Sequence, residues 1–292
     1  MQADLANEYA IVGQTYAEAS EILGYDLWAR VQEGPPEKLA ETVVTQPAML
    51  TAGYAAWLVW REAGGARPSH MAGHSLGEFT ALACAGSLSF SSALELVKIR
   101  SELMQAAVPV GEGAMAAIIG MDDDAVRQVC EESSATGVAE AVNFNSPGQV
   151  VIAGNKKAID LAIVRAEEAG ARRAIPLPVS VPSHSSLMIG AGEKLAEALA
   201  EVDFSTPEIP VLNATDATLY SDADDIRSRL ALQVHRPVLW VATINAMLAA
   251  GVNSIIECGP GKVLAGLSRR IDRGTPAATI DSLAGLQKAL QA

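Results

Sequence analysis

Ser75 is the residue around which chemistry could be organised. It stands in Gly73-His74-Ser75-Leu76-Gly77, a Gly-x-Ser-x-Gly element entered by a short apolar run and left by an alanine-rich helical pattern. Such a stretch reads as a nucleophile elbow, a sharp strand-to-helix turn that pushes the serine hydroxyl outward. Gly73 and Gly77 are expected to let strand and helix approach closely and to leave Ser75 on a strained turn. The Leu76 amide is then among the unpaired donors of the helix start and points to where negative charge would grow on an attacked carbonyl. Glu78, in the first helical turn, needs no catalytic role and is read as complementing the helix dipole. The motif also arises by chance, so it needs partners.

A serine nucleophile needs a base, and the chain has four histidines. His70 leads into the elbow, His74 adjoins the serine and would point elsewhere, and His235 precedes Arg236-Pro237 in a loop. His184, in Pro182-Ser183-His184, is the best candidate base. Ser183 is a plausible helix cap there, and a histidine merely capping a surface turn is the competing reading. Ordinary α/β-hydrolases place an acid between serine and histidine in chain order. Here Asp122 to Asp124 and Asp160 fall in a separate unit, so the expectation is a Ser-His dyad oriented by a backbone carbonyl. Arg100 shares a helical stripe with Leu96 and Leu103. It either snorkels to water or meets a buried anion, and the residues alone favour snorkelling.

The elements that must position these groups follow from periodicity and punctuation. Residues 3–58 read as helical segments broken at Gly24-Tyr25-Asp26, Gly34-Pro35-Pro36 and Gln46-Pro47, and residues 89–108 as a further helix. Between Pro109 and Pro182 the order is β-α-β-β-α-β, with strands at 114–120, 138–143, 150–153 and 173–179, helices at 122–134 and 156–169, and a turn at Asn145-Ser146-Pro147-Gly148. Beyond it come a helix to about residue 202, a strand at 210–213, helices at 226–234 and 240–250, and a strand at 254–257. Cys258-Gly259-Pro260-Gly261-Lys262 then opens a helix; it lacks the Walker spacing and the Rossmann glycines and is read as a turn. The last dozen residues read as a loose or surface helix.

With 292 residues, half of them hydrophobic, the chain can bury a large core. Its net charge of −13 argues against nucleic acid. Cys84, Cys130 and Cys258 are far apart and odd in number, without ligand-like spacing, which points to reduced thiols, a cytoplasmic protein and no metal. No apolar run approaches membrane-spanning length and the first residues are neither basic nor apolar, so no membrane partner or export is expected.

Five segments together carry a resemblance: Gly-His-Ser-Leu-Gly-Glu at 73–78, Arg100, Val-Asn-Phe-Asn-Ser-Pro-Gly-Gln-Val-Val-Ile-Ala-Gly at 142–154, Pro-Val-Ser-Val-Pro-Ser-His at 178–184, and Glu-Cys-Gly-Pro-Gly-Lys-Val-Leu at 257–264. In this order they resemble the malonyl-CoA:acyl carrier protein transacylases of bacterial fatty acid synthesis, over essentially the whole chain. The resemblance implies an α/β fold with an α/β-hydrolase-like core and parallel sheet, residues 1–109 and 181–292, plus an inserted ferredoxin-like βαββαβ subdomain, residues 110–180. It implies that Ser75 attacks malonyl-CoA with His184 as general base, and that the phosphopantetheine thiol of acyl carrier protein then collects the malonyl group, a ping-pong cycle. Arg100 becomes the partner of the malonyl carboxylate. The backbone carbonyl of Gln233 supports the histidine, Gln46 lines the site, and Asn143 and Asn145 face the cleft, although a plain turn role explains those two nearly as well. No cofactor is implied, and the protein is expected to act as a monomer. Arg172, Arg173, Lys262, Arg269 and Arg270 are candidate landing points for an acidic carrier, against a reading as ordinary solvated charges.

One departure stands out. Members usually begin with a strand and a Pro-Gly-Gln-Gly-Ser-Gln loop that supplies a second oxyanion amide; neither is found here, and Gly13-Gln14 is no substitute. Loss of one donor would cost roughly two to three orders of magnitude in turnover, and a late start codon or a truncation is the preferred reading. The competing functions are an acyltransferase of a polyketide pathway, with methylmalonyl left open by the small Ser183, a serine hydrolase or thioesterase, and a non-catalytic scaffold.

Overall fold

The computed structural model describes residues 1–179 and 181–291; Ser180, at the expected boundary between 110–180 and 181–292, and Ala292 lie outside them. The first third is helical, with α1 (Ala3–Glu8), α2 (Ala10–Leu23), α3 (Leu27–Glu33), α4 (Pro36–Leu39) and α5 (Thr42–Glu62). Gly24, at φ 78°, ends α2, and the Asp26 carboxylate starts α3 by accepting the Ala29 N–H at 2.8 Å. Gln46-Pro47, expected as a break, lies inside α5. Pro47 removes one helical hydrogen bond, but α5 is buried on nearly every side, so packing outweighs that local cost.

The elbow strand β1 (Met71–Ala72) is only two residues long and excludes His70; α6 (Gly77–Cys84) and α7 (Phe90–Ala106) follow. Ser89 caps α7 by accepting the Ser92 N–H at 3.0 Å. Next come β2 (Gly113–Ile119), α8 (Asp123–Ser133), β3 (Ala139–Ser146), β4 (Gln149–Asn155), α9 (Lys156–Glu168) and β5 (Arg173–Pro176). These strands form one antiparallel sheet in the order β3-β4-β2-β5. Alternation along β2 sends Ala116 and Ile118 toward α8 and α9 and Met115 and Ala117 toward the other face. The turn expected at 145–148 is shorter: β3 runs through Ser146, which pairs with Gln149, so only Pro147-Gly148 make the hairpin.

The remaining elements are α10 (Ile189–Ala200), β6 (Val211–Leu212), α11 (Ala223–Gln233), α12 (Trp240–Ala249), β7 (Ile255–Cys258), α13 (Val263–Ile271), β8 (Ala277–Ile280) and α14 (Leu283–Ala289). β1 pairs in parallel with β6, and β7 with β8. The expected parallel sheet is therefore present as two separate two-stranded pairs among the described residues, in an α/β architecture that holds both parallel and antiparallel sheet. β8 escaped the sequence reading because Ala277-Ala278-Thr279-Ile280 shows no alternation. The surface helix expected near the end is present as α14, and it is anchored rather than loose: it buries Leu286 and Ala289, and the Leu283 N–H donates to Asp4 at 2.7 Å, tying α14 to α1. The main core gathers α2, α5, α6, α7, α10 and α11 around residues such as Tyr16, Leu50, Phe79, Leu94, Leu195 and Leu230. No helix among the described residues is long and apolar enough to cross a membrane.

Candidate active site

Ser75 follows β1 and adopts φ 51°, the left-handed region that costs a non-glycine residue energy. The tightness of the turn has one cause. A Cβ at Gly73 would lie 1.9 Å from the Gly77 carbonyl carbon and 2.1 Å from the Glu78 nitrogen, whereas a Cβ at Gly77 would meet nothing within 4 Å. Close approach thus demands glycine at 73 and not at 77, a correction to the symmetric expectation. Leu76 is the N-cap residue of α6, so its amide stands at the positive end of that helix.

His184 comes to Ser75 from across the fold, with Nε2 2.7 Å from Ser75 Oγ. Its Nδ1 lies 2.8 Å from the Gln233 carbonyl oxygen. With Nδ1–H donating to that carbonyl, Nε2 is left as acceptor for the serine O–H. The ring is buried, and burial together with the nearby Arg100 charge lowers its pKa to about 3, so the imidazole is neutral at ordinary pH and its Nε2 lone pair is unprotonated. Ser183 does not cap the following helix. A single 3₁₀ turn, Ser186–Met188, precedes α10, and the Ser186 N–H and hydroxyl both donate to the Glu140 carboxylate at 2.7 Å. A carboxylate from β3 takes the role assigned to the serine, and His184 sits ahead of the helix in a turn of its own, at φ 67°.

Arg100 does not snorkel. It is 1% exposed, on the inner face of α7. Its Nη1 donates to Gln46 Oε1, and its Nη2 donates to Gln233 Oε1 at 2.9 Å and to Ser75 Oγ at 3.0 Å. Its Nε is buried without a partner, and the guanidinium carbon lies 5.8 Å from the Phe79 ring centroid. Burial lowers the pKa to about 10, with Glu78 opposing, which leaves the group cationic at neutral pH. A buried cation with an unused N–H beside a nucleophile has the chemistry needed to receive an anion.

The sequence reading missed the layer beneath. Glu78 is fully buried, and its carboxylate accepts from the Tyr220 hydroxyl, Asn213 Nδ2 (2.7 Å), Gln233 Nε2 (2.6 Å) and the Ala214 N–H (3.4 Å). Glu78 does stand in the first turn of α6, where the dipole reading put it, but its carboxylate is also the hub of this buried network. The signal was present in the spacing: position 78 is three residues after Ser75, on the face of α6 that carries Phe79 and Leu82 inward. Gln233 contributes its side chain as well as its carbonyl, since Nε2 also donates to the Ser75 carbonyl at 2.9 Å.

Asn143 and Asn145 lie on β3, not in a turn. Asn145 Oδ1 is 2.8 Å from His74 Nε2, and Asn143 Oδ1 is buried without a partner. His74 packs on Trp240 with ring centroids 5.5 Å apart. Gln46 is buried against Arg100 and Met104. Among the basic residues, Arg270 Nη1 donates to Gln149 Oε1 at 2.6 Å, and Gln149 and Arg173 flank Ile119 in the sheet register, which brings α13 and β5 to one end of the antiparallel sheet. Arg172 and Lys262 are exposed, and Arg269 donates to the Ala277 carbonyl. The loop at 258–262 leads into a helix start already occupied: the Glu257 carboxylate accepts from the Leu264 and Ala265 N–H groups at 3.2 and 2.7 Å. No group of three or more His, Cys, Asp or Glu that could hold a metal ion occurs among the described residues.

Residues 12–288 match the acyl transferase domain family. The malonyl CoA-acyl carrier protein transacylase of Salmonella typhimurium is 51% identical over 290 residues, covering 99% of this chain and 94% of that protein. An acyl-carrier-protein S-malonyltransferase of Burkholderia pseudomallei superposes with a TM-score of 0.96 at 52% identity, covering 98% of this chain and 93% of that one. A malonyl-transacylase solved in complex with a type II PKS acyl-carrier protein superposes with a TM-score of 0.98 at 49% identity, covering 100% of this chain and 94% of that one. With the Ser75, His184 and Arg100 constellation at its centre, this chain belongs to the malonyl CoA-acyl carrier protein transacylases, within the acyl transferase domain family.

Proposed function

We propose that the chain transfers the malonyl group of malonyl-CoA to the phosphopantetheine thiol of acyl carrier protein through a malonyl-serine ester, supplying fatty acid synthesis. The observation that carries the reading is a single hydroxyl, Ser75 Oγ, set 2.7 Å from a neutral imidazole and 3.0 Å from a buried guanidinium. His184 Nε2 takes the serine proton as Oγ attacks the thioester carbonyl, and the Leu76 N–H faces the oxyanion. Collapse expels the CoA thiolate, which takes the proton back from His184. In the second half-reaction the same nitrogen deprotonates the carrier thiol, which attacks the ester and returns Ser75. Arg100 holds the distal carboxylate throughout, with Gln46 and Gln233 fixing the plane of its guanidinium.

The finer architecture is part of the proposal. We read residues 110–180 as a ferredoxin-like subdomain, supported by the antiparallel order β3-β4-β2-β5, inserted in an α/β-hydrolase-like core of residues 1–109 and 181–292, supported by the elbow and its parallel strand pair. Asn143 and Asn145 link the insert to the site wall. All of these groups come from one chain, so a monomer suffices, in the cytoplasm, without cofactor or metal. Arg172, Arg173, Lys262, Arg269 and Arg270 are the proposed carrier contacts. The likeness to a transacylase solved with a polyketide carrier favours a second reading of the acceptor, in which the same chemistry serves a polyketide pathway.

Radiolabelled malonyl-CoA tests the function, with and without carrier protein, on the wild type and on Ser75→Ala. Stable label on the wild type alone, discharged to carrier, is expected. Release to water points to a hydrolase, and no label to a scaffold.

A further inference from the structure

We propose that Glu78 is a positioning residue for this reaction: its carboxylate is the counter-charge of Arg100, relayed through the Gln233 side-chain amide, and only its ionised form holds the site in working geometry. The proposal rests on the malonyl-transfer reading.

The donor count carries the argument. Glu78 Oε1 accepts from the Tyr220 hydroxyl and from Asn213 Nδ2; Oε2 accepts from Gln233 Nε2 and the Ala214 N–H. Four donors converge on two oxygens, an arrangement that suits a carboxylate; of the four groups only the Tyr220 hydroxyl, which also accepts from Asn213 Nδ2 at 2.9 Å, can turn to receive the proton of a carboxylic acid. Protonation therefore forces a donor to turn away. Asn213 and Ala214 are held beside β6, so the groups free to move are the Tyr220 hydroxyl and the Gln233 amide. Gln233 matters more, because the orientation that points Nε2 at Glu78 is the one that points Oε1 at Arg100 Nη2, 2.9 Å away. The same Nε2 grips the Ser75 carbonyl at 2.9 Å, and the Gln233 main-chain oxygen receives His184 Nδ1. Glu78 touches none of the reacting atoms, yet it sets the residue that touches nucleophile, base and anion receptor.

The charges around it complete the picture. Arg100 on α7 makes no ion pair with any carboxylate within 4.0 Å among the described residues, so its balance comes through the amide. His184 lies beyond Ser75, and Arg229 on α11 stands behind the Tyr220 ring at 5.8 Å. Burial raises the Glu78 pKa, against its four hydrogen bonds, to about 7, which places the switch within reach of ordinary assay buffers. The base itself is neutral down to about pH 3, so it does not supply an acid limb near neutrality.

The test measures kcat and KM for malonyl-CoA and acetyl-CoA from pH 5 to 9 in the wild type, Glu78→Gln and Tyr220→Phe. The wild type should lose kcat on the acid side with a midpoint near 7; Glu78→Gln, the uncharged isostere, should stay at the low acid-side kcat across the range, without a limb, and its preference for malonyl over acetyl should fall about tenfold. Tyr220→Phe removes one donor and should move the limb upward by about half to one pH unit. A residue with a merely structural role would change the yield of active enzyme and leave limb and preference alone. An unmoved limb in Tyr220→Phe overturns the proposal even if Glu78→Gln does not fold, as does a Glu78→Gln enzyme with wild-type limb and preference. Absence of malonyl transfer in the wild type sinks the functional reading and this proposal with it, whereas an active wild type with unresponsive variants sinks this proposal alone.

Discussion

Arg100 Nη2 lies 3.0 Å from Ser75 Oγ, so the cation proposed to read the far end of the acyl chain already touches the nucleophile at the near end. The serine oxygen accepts from the guanidinium while its own proton faces His184 at 2.7 Å. An incoming carboxylate competes for that Nη2 donor, which couples recognition of the acid group to the state of the hydroxyl.

Removing one partner of a buried, hydrogen-bonded charge pair costs about 2–5 kcal/mol. Arg100→Ala should therefore lower kcat/KM for malonyl-CoA by at least about thirtyfold and change that for acetyl-CoA by less than about tenfold. Arg100→Lys should recover little, because an ammonium cannot serve Gln46, Gln233 and a carboxylate in one plane. Steady-state kinetics with both thioesters decide, and equal losses for the two would remove Arg100 from substrate recognition.

Gly73 and Gly77 should respond oppositely to the same change. Gly73→Ala puts a methyl group into the backbone of the first turn of α6 and should destabilise by about 3 kcal/mol or more, with loss of acyl-enzyme formation. Gly77→Ala meets open space at negative φ and should stay within about 0.5 kcal/mol of wild type. Denaturant titration of both variants checks the contrast.

The buried imidazole should leave its mark on acid stability. His184 has its folded pKa lowered from 6.5 to about 3, so between those values the unfolded chain binds a proton that the folded one refuses. Stability from this group is then full above about pH 6.5 and is lost as the pH falls, by about 2–3 kcal/mol between pH 7 and pH 4.5. His184→Ala should lack that share of the decline. Parallel slopes of stability against pH in wild type and variant would contradict it.

Carrier docking is separable from loading. Arg172→Glu with Arg173→Glu should raise the apparent KM for an acidic carrier about tenfold, more at low salt, while leaving the rate of malonyl loading unchanged. These two are better probes than Arg269 and Arg270, whose side chains are engaged by the Ala277 carbonyl and by Gln149. Unchanged carrier kinetics at low ionic strength would move the landing site elsewhere.

Much of this was legible in the chain because it is local. The elbow, the helix expected over 89–108 and the βαββαβ order depend on neighbours within a few residues, and the structure places those elements close to their expected positions. What was not legible depends on distant partners. Pro47 sits in a helix because other helices bury it, and β8 exists because β7 lies beside it. For Arg100 the residues alone favoured reaching for water and only the resemblance turned it inward, because periodicity reports which face a residue occupies but not that Gln46, Gln233 and Ser75 wait there. The network around Glu78 was missed for the same reason, since Tyr220, Asn213 and Gln233 follow it by more than a hundred residues.

The bond from Asn145 on β3 to His74, the residue immediately before Ser75, joins the antiparallel sheet to the elbow. β3 is bound to the rest of the molecule at further points as well, by the backbone bonds Phe144 N–H to Val238 O and Val238 N–H to Val142 O and by Glu140 at Ser186, so the wall that carries Asn145 and the turn that carries the nucleophile at φ 51° are braced in one register.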